Sequence, residues 1–552
     1  MITDHAGLTP FEKLLSLVTR MRPGEGRAAF LFFTHGFLLL SSYQVVKALR
    51  EAFILTKFSA ETRSYAVALV ALVLMFVVPF YGWVRRHLDG ARLLRAVTLF
   101  FVVTMPLFAY FANKGVPIAI PFFVWVSIYG VMVVSQMWAY AADSFNVKSG
   151  QRLFVVIMLG ANLGALVGSR IAEQAADLLS PIGLIILAAV LLSMTLLLAG
   201  PERAAVPEGS RAISADHSRP VPRLLGGIGL VLRDRYLVLI ALLAVLLNWI
   251  NTTGEFILAD LVKAHAQARV DASGGTLDLG TLITAFYGNY GFWVTLMSLL
   301  IQLFLVSRIF RVMGVRGALL IHPIVVLIAY GVVALGPLLG GFIPIFTLVR
   351  WIKVVENSID YSLMNTTRQA LFLPVDRDAK YDGKTAIDTF FWRIGDVLQA
   401  LAIYVGVNHL QWTSTQFVIL NLLLAVGWIV LAVKIGKGFS QKALDNVMNV
   451  APEAGDPIPD LHYEPGQAFL HRISPTAFRD ADPGDVLTLR ACCEDGAPLP
   501  RWMRFDGRQR AFVGSVPHDV RVTELRIVVI AADVDGLEAR STFVVRSVLG
   551  AR

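Results

Sequence analysis

Twelve runs of about twenty apolar residues, separated by short polar stretches, dominate the pattern of the chain. At 1.5 Å per helical residue such a run matches a hydrocarbon core of about 30 Å. Membrane-spanning helices are therefore expected over approximately 28–54, 62–84, 92–113, 117–142, 152–176, 181–199, 236–262, 280–306, 316–336, 341–365, 385–407 and 416–436. A polar stretch from about Pro201 to Arg235 separates the sixth run from the seventh, which leaves six on each side. After Lys442 no run is long enough to span a membrane. There Val486–Leu489, Leu525–Ile530 and Thr542–Val545 read as strands between Gly, Pro and Asp turns, and a small β-sandwich is expected.

The expected fold is thus an all-α polytopic membrane protein, twelve transmembrane helices in two six-helix halves, followed by a C-terminal β-sandwich. Its expected divisions are an N-terminal interfacial helix (1–27), a first half (28–200), a cytoplasmic linker (201–235), a second half (236–442), a linker (443–465) and the sandwich (466–552). Six plus six with a basic central loop is the layout of the major facilitator fold, in which substrate sits near the midplane between the halves.

Composition agrees: 56% of residues are hydrophobic, and mean hydropathy is +0.64. The net charge of +9 is spread over loops, which argues against nucleic acid as a partner. Arg85, Arg86, Arg92 and Arg95, then Arg308, Arg311 and Arg316, then Arg377, Lys380 and Lys384 fall on loops of one side, and the opposite loops hold little beyond Lys114 and His409. By the positive-inside rule both termini are expected in the cytoplasm of a cell bounded by a bacterial inner membrane. Cys492 and Cys493 are adjacent and give no disulfide framework. No secretory signal is read at the N-terminus, where Thr9-Pro10-Phe11-Glu12 reads as a capped helix start, with Phe11, Leu14, Leu15 and Val18 as an apolar face for the inner leaflet.

Ionisable side chains inside spans change the picture from anchor to conduit. Each costs at least about 2.5 kcal/mol at a span centre. Gln44, Lys47 and Glu51 share a face of span 1 beside Arg50; Gln136, Tyr140 and Asp143 share one in span 4; Asn248, Asn251 and Glu255 in span 7; Lys353, Glu356 and Asp360 in span 10, continued by Arg368; Arg393 and Asp396 lie in span 11. Polar stripes in several helices suit a water-filled central cavity. The plainer alternatives are that Lys353 with Glu356, and Arg393 with Asp396, neutralise one another, and that Lys47, Arg50 and Glu51 snorkel to the surface. Gly160, Gly164 and Gly168, next to Asn162, suit close helix packing or a rocking interface. Gly288 and Gly291, around Asn289, suit either packing or local unwinding at a substrate site. Gly383-Lys384-Thr385 lacks the earlier glycine of a phosphate-binding loop, no His pair has metal spacing, and no nucleophile elbow occurs, so no enzyme activity, metal or cofactor is expected.

Several segments between Phe11 and Lys442 resemble the ATP/ADP translocase family of nucleotide transporters. They are Tyr361-Ser362-Leu363, Leu373-Pro374-Val375-Asp376, Gly383-Lys384-Thr385-Ala386-Ile387-Asp388, Leu49-Arg50-Glu51, Trp138 to Asp143 leading to Arg152-Leu153-Phe154, and Gly160 to Ala165. The resemblance implies nucleotide transport by alternating access. It makes Lys47, Arg50, Asn162, Asn251, Glu255, Asn289, Lys353, Arg368 and Arg393 the expected substrate ligands. Glu51, Asp143, Glu356, Asp360 and Asp396 are the expected proton-coupling or charge-compensating groups. Departures accompany it: the family's lysine is missing from Leu49 to Ile54, and two further lysines are Asp360 and Asp396 here. A less charged nucleotide, a nucleoside or a proton-coupled solute fits that altered balance, and a membrane-anchored scaffold with an inactive core is the remaining alternative.

The tail from Phe469 to Val548 resembles bacterial cadherin-like or immunoglobulin-type domains, through Phe478 to Asp485, Leu499 to Asp506, Phe512-Val513-Gly514 and Ala532 to Gly536. Trp502 and Phe505 are expected in its core and Asp506 in a turn. Asp480, Asp482, Asp533 and Asp535 suit turn capping or a calcium site. Expected partners are the lipid bilayer, a small-molecule substrate and a protein partner for this domain.

Overall fold

Lipid-length apolar runs fold into helices because a bilayer leaves no other partner for the backbone amides. The computed structural model describes residues 9, 12–13, 16, 19, 21–85, 90–198, 200–207, 224–335, 344–376, 379–448, 451–464, 466–480, 486–517, 524–533 and 536–547. Phe11, Leu14, Leu15 and Val18, Arg86, Arg377, most of the central linker, and Asp482 and Asp535 lie outside the described residues.

The first half is α1 (Gly26–Lys57), α2 (Ala60–Arg85), α3 (Gly90–Asn113), α4 (Ala119–Ser144), α5 (Val147–Gln174) and α6 (Pro181–Leu198). The second begins with α7 (Arg235–Ala272). Next comes a helical run over Leu279–Leu335. As one rod its 57 residues would reach about 85 Å, nearly three times the hydrocarbon thickness. It is broken at Gly314, where φ is 62° and ψ −170°, so it supplies two passes, α8 before the break and α9 after it. Then follow α10 (Ile345–Ile359, a π-helical turn Asp360–Met364, and Asn365–Ala370), α11 (Ala379–Asn408) and α12 (Ser414–Met448).

Among the described residues ten stretches are long and apolar enough to cross a membrane. One of them is the double pass, and α10, interrupted and carrying Arg350, Lys353, Glu356 and Asp360, is the twelfth.

Within the first half α1 packs on α4, α5 and α6; within the second, α7 packs on α8, α10 and α11. The halves meet where α8 lies on α1 and α5, and where α7 and α11 lie on α2. The glycines of α5 form a seam inside the first half. A Cβ at Gly160, Gly164 or Gly168 would lie 2.4, 2.1 or 2.4 Å from the carbonyl oxygens of Phe33, Phe37 and Ser41. Of the two expectations for that stripe, close packing is the one observed. The unwinding considered for Gly288 and Gly291 does not occur, since Leu279–Leu300 is unbroken α-helix. Gly288 instead admits the α5 backbone: its Cβ would sit 2.5 Å from the Glu173 nitrogen.

Ahead of α1 the Thr9 and Glu12 pair forms the expected capping box. The Thr9 amide donates to Glu12 Oε2 (2.9 Å) and the Glu12 amide to Thr9 Oγ1 (3.2 Å). Glu12 is buried, and its Oε1 accepts from the amides of Gly24 and Gly26 at 2.8 and 3.0 Å.

The chain divides into two compact units, Met1–Leu373 with Ala379–Gly438, and Pro374–Asp378 with Phe439–Arg552. Among the described residues the second holds nine strands: β1 (Glu453–Ala454), β2 (Leu461–Tyr463), β3 (Ala468–Arg472), β4 (Phe478–Arg479), β5 (Thr488–Cys493), β6 (Met503–Asp506), β7 (Ala511–Ser515), β8 (Glu524–Ala532) and β9 (Glu538–Ser547). A four-stranded sheet, β2-β9-β8-β5, and a three-stranded sheet, β3-β7-β6, enclose a core centred on Phe512, Ile527, Val529 and Phe543. Trp502 and Phe505, expected at that core, are only partly buried and pack at its margin. Asp506 Oδ1 accepts the amides of Arg508 and Gln509, and Asp533 Oδ1 accepts that of Leu537, so both act as turn formers.

Candidate functional site

A cavity of about 320 Å³ opens between the two halves. Its lining draws Tyr43, Gln44, Lys47, Arg50 and Glu51 from α1, and Arg63 with Val67, Val70 and Leu74 from α2. Phe123 and Ser127 come from α4, Asn251 and Glu255 from α7, Tyr287 and Tyr290 from α8, Asn357 and Tyr361 from α10, and Arg393 and Asp396 from α11. Helical spacing accounts for the convergence from α1, α7 and α11, whose polar stripes each bring residues to the shared axis, whereas α10 presents Asn357 and Tyr361 there rather than its charged stripe.

A chain of alternating charge crosses the cavity wall. Arg50 Nη2 lies 2.6 Å from Glu51 Oε1, and Arg63 Nε lies 2.5 Å from Glu51 Oε2. Arg63 Nη2 then reaches across the halves to Glu255 Oε2 at 3.7 Å. Glu255 Oε1 accepts from Asn357 Nδ2 (2.8 Å) and the Tyr290 hydroxyl (3.1 Å), with Lys353 Nζ at 3.8 Å. Lys353 donates to Asn251 Oδ1 (2.8 Å) and Glu356 Oε1 (2.9 Å), and the Tyr330 hydroxyl donates to Glu356 Oε2 (3.2 Å). Gly254 is what lets this buried lysine through, because a Cβ there would come within 2.9 Å of Lys353 Nζ. Burying a lone charge is costly, and each member of the chain offsets the desolvation of the next. The snorkelling alternative for Lys47, Arg50 and Glu51 is thereby set aside: Glu51 is buried, and all three line the cavity.

The pairs expected within single helices do form, Lys353 with Glu356 and Arg393 Nη1 with Asp396 Oδ2 at 3.2 Å. Each pair neutralises itself, and Arg393 and Asp396 also line the cavity. Asn248 Nδ2 holds the other Asp396 oxygen at 2.8 Å. Arg368 stacks over Trp392 at 4.2 Å from the ring centroid.

Lys47 is different. Among the described residues it makes no ion pair and no hydrogen bond, although Tyr361, Tyr43, Arg50 and Glu255 lie near enough to act on its charge.

Not every expected ligand reaches the cavity. Asn162 and Asp143 are not in its lining, because a polar residue on an amphipathic stretch does not declare which neighbour its helix face meets. Lys353 and Glu356 stand one layer behind, and Asp360 and Arg368 also lie off the lining. Asn289 joins a different cross-half cluster, where its Nδ2 donates to Glu173 Oε1 (2.7 Å) and Arg350 Nη2 donates to its Oδ1 (2.5 Å). Sequence reasoning missed Arg63, Tyr43, Tyr290 and Asn357. Asn357 carried a signal, four residues after Lys353 and on its stripe.

Further cross-half bonds gather at the end of the bundle where α1 turns into α2. Lys263 Nζ donates to the Phe58 carbonyl (2.8 Å), Gln399 Nε2 to Ser64 Oγ (3.2 Å) and Asn408 Nδ2 to Glu61 Oε1 (2.5 Å). These bonds tie the two halves together at that end.

Residues 182–439 match the family model for the TLC ATP/ADP transporter. That match covers the last helix of the first half and nearly all of the second. An immunoglobulin-type domain model, He_PIG, matches residues 451–548. Among similar curated proteins, ADP,ATP carrier protein 1 of Chlamydia pneumoniae is 24% identical over 375 residues, covering 61% of this chain and 70% of its own. ADP,ATP carrier protein 1 of Chlamydia trachomatis is 23% identical over 503 residues, covering 78% of this chain and 92% of its own. Solved structures with the same fold include a form of the nucleoside transporter NupG (TM-score 0.53, 13% identity, 75% of this chain and 99% of that one). A POT family transporter bound to 5-aminolevulinic acid is similar too (TM-score 0.54, 15% identity, 75% and 96%). The membrane region thus has a major facilitator-like fold, and residues 182–439 within it are similar to TLC ATP/ADP transporters.

Proposed function

We propose that this TLC-type protein is a secondary transporter that moves a nucleotide-like anionic solute across the membrane by alternating access. The observation that carries the reading is a cavity between the halves, bridged by hydrogen bonds at one end, into which a lysine projects without a counter-ion among the described residues. Arg393 adds a second cation whose guanidinium is satisfied on one side only by Asp396. If the basic loops lie in the cytoplasm of a bacterial inner membrane, the bridged end faces outward and this is an inward-facing conformation. Uptake of labelled adenosine, cyclic AMP, AMP, ADP and ATP into proteoliposomes tests the function, and transport of none of them rejects it. A reporter fused after Arg552 tests the orientation; activity outside the cytoplasm reverses it and places the immunoglobulin-type domain, with any protein partner, on the other side.

A second reading rests on Asp360. It is 6% exposed, and among the described residues its side chain has no hydrogen bond and no ion pair. A buried carboxylate of that kind suits proton coupling. Uptake that collapses when a protonophore is added, and becomes insensitive to it in D360N, supports this version; unchanged sensitivity excludes it.

A further inference from the structure

We propose, building on the transport reading, that the cavity selects a cargo bearing one net negative charge, with Lys47 as the residue that sets this number. The charges that face the cavity are Lys47, Arg50, Arg63 and Arg393 against Glu51, Glu255 and Asp396. With each in its ordinary ionised state, one positive charge is left over. The groups behind the lining do not alter the balance, since Lys353 is cancelled by Glu356, and Asp360 and Arg368 carry opposite signs.

The surplus is also localised. Arg50 is shared between Glu51 and Ser127, Arg63 between Glu51 and Glu255, and Arg393 is paired with Asp396. Lys47 alone among these lining cations has neither ion pair nor hydrogen bond. When the halves close around a cargo and exclude water, uncompensated charge of either sign is strongly disfavoured. One anionic charge neutralises the site. A polyphosphate with about four negative charges overfills it and faces three carboxylates as well.

The uncharged part of the cargo has its own partners. Asn357 Oδ1 and the Tyr287 hydroxyl are buried, line the cavity and have no hydrogen-bond partner. They offer an acceptor and a donor-acceptor to ring or sugar groups, and Tyr43 and Tyr361 supply aromatic faces near the lysine. The cargo class is therefore a monoanion with a hydrogen-bonding, ring-bearing body.

The test uses the full chain in proteoliposomes and five compounds with one base: adenosine, cyclic AMP, AMP, ADP and ATP. Cyclic AMP is a phosphodiester and stays a monoanion across the working pH range, whereas AMP approaches two negative charges at pH 7. Uptake is expected to peak at the cyclic monoanion and to fall at least about tenfold by ATP. In K47Q the peak should move to adenosine, and in K47R it should stay. Uptake that rises steadily toward ATP, or a K47Q profile with the same order as the wild type, overturns the charge rule and leaves the transport reading intact. Uptake of none of the five removes both.

Discussion

Substituting Glu255 with Gln removes the charge that, among the described residues, Arg63 meets across the halves, while keeping the shape of the side chain. The Arg63–Glu255 separation is 3.7 Å, with side chains 7% and 17% exposed. At an effective dielectric of about 20 the Coulomb attraction is about 4 kcal/mol. Desolvation offsets much of it, and Gln can still accept from Asn357 and Tyr290, so the expected loss for the bridged state is about 1–3 kcal/mol, or roughly 5- to 150-fold in the conformational equilibrium. The assay needs one reporter cysteine at Thr56, which lies next to Gly280 of the opposite half, in a chain whose Cys492 and Cys493 are replaced by Ser. Labelling by a membrane-impermeant maleimide, without cargo, should accelerate in E255Q by that factor. It should not change in D388N, which breaks the half-exposed Lys384–Asp388 pair elsewhere. Equal rates in E255Q and the parent would refute the idea that this ion pair holds the end shut.

Three other outcomes are expected. G164A forces a methyl to 2.1 Å from the Phe37 carbonyl oxygen and should cost about 1–3 kcal/mol, read as a lower melting temperature in detergent; G427A, with no atom within 4 Å, should be neutral or slightly stabilising. At Glu12 burial raises the carboxyl pKa, but the amide donors of Thr9, Gly26 and Gly24 outweigh it and hold it below the ordinary carboxylate range. The folded form thus binds a proton less readily than the unfolded one, so this anchor is at full strength above the ordinary range and is lost as pH falls through the depressed value. Hydrogen exchange at the Gly24 and Gly26 amides should accelerate at acid pH in the wild type, and lose that pH dependence in E12Q. F512A removes the centre of the sandwich core and should destabilise that domain by about 3–5 kcal/mol, seen as rapid proteolysis beyond residue 451 with the membrane region intact.

The membrane passes, the charged α10 included, were legible because lipid imposes both length and polarity on a helix. Stripe periodicity brought Lys47, Glu51, Asn251, Glu255, Arg393 and Asp396 to the cavity, since helical spacing needs no knowledge of neighbours. Asn162 and Asp143 went astray for the complementary reason: spacing says which residues share a face, and tertiary packing says what that face meets. Arg63 was invisible as a site residue because it stands three positions into α2, where a basic side chain ordinarily reads as an interfacial anchor. Its partners lie 12 and 192 positions away in the chain, and nothing local announces them. The sandwich strands were legible from alternation, but Trp502 was overvalued as core because its size says nothing about which strand edge it borders.

The carbonyl-to-glycine seam between α1 and α5 has a mechanical consequence. Backbones that touch at three successive turns cannot slide past each other, so any torque on Lys47 from a bound anion is delivered to α5 as one stiff body. The same helix, at Ser169 and Glu173, abuts Gly288 of the opposite half. On the proposed reading, cargo held by a residue of α1 would pull on a contact between the halves that it never touches, and one methyl added to the seam would blunt that lever without altering a single ligand.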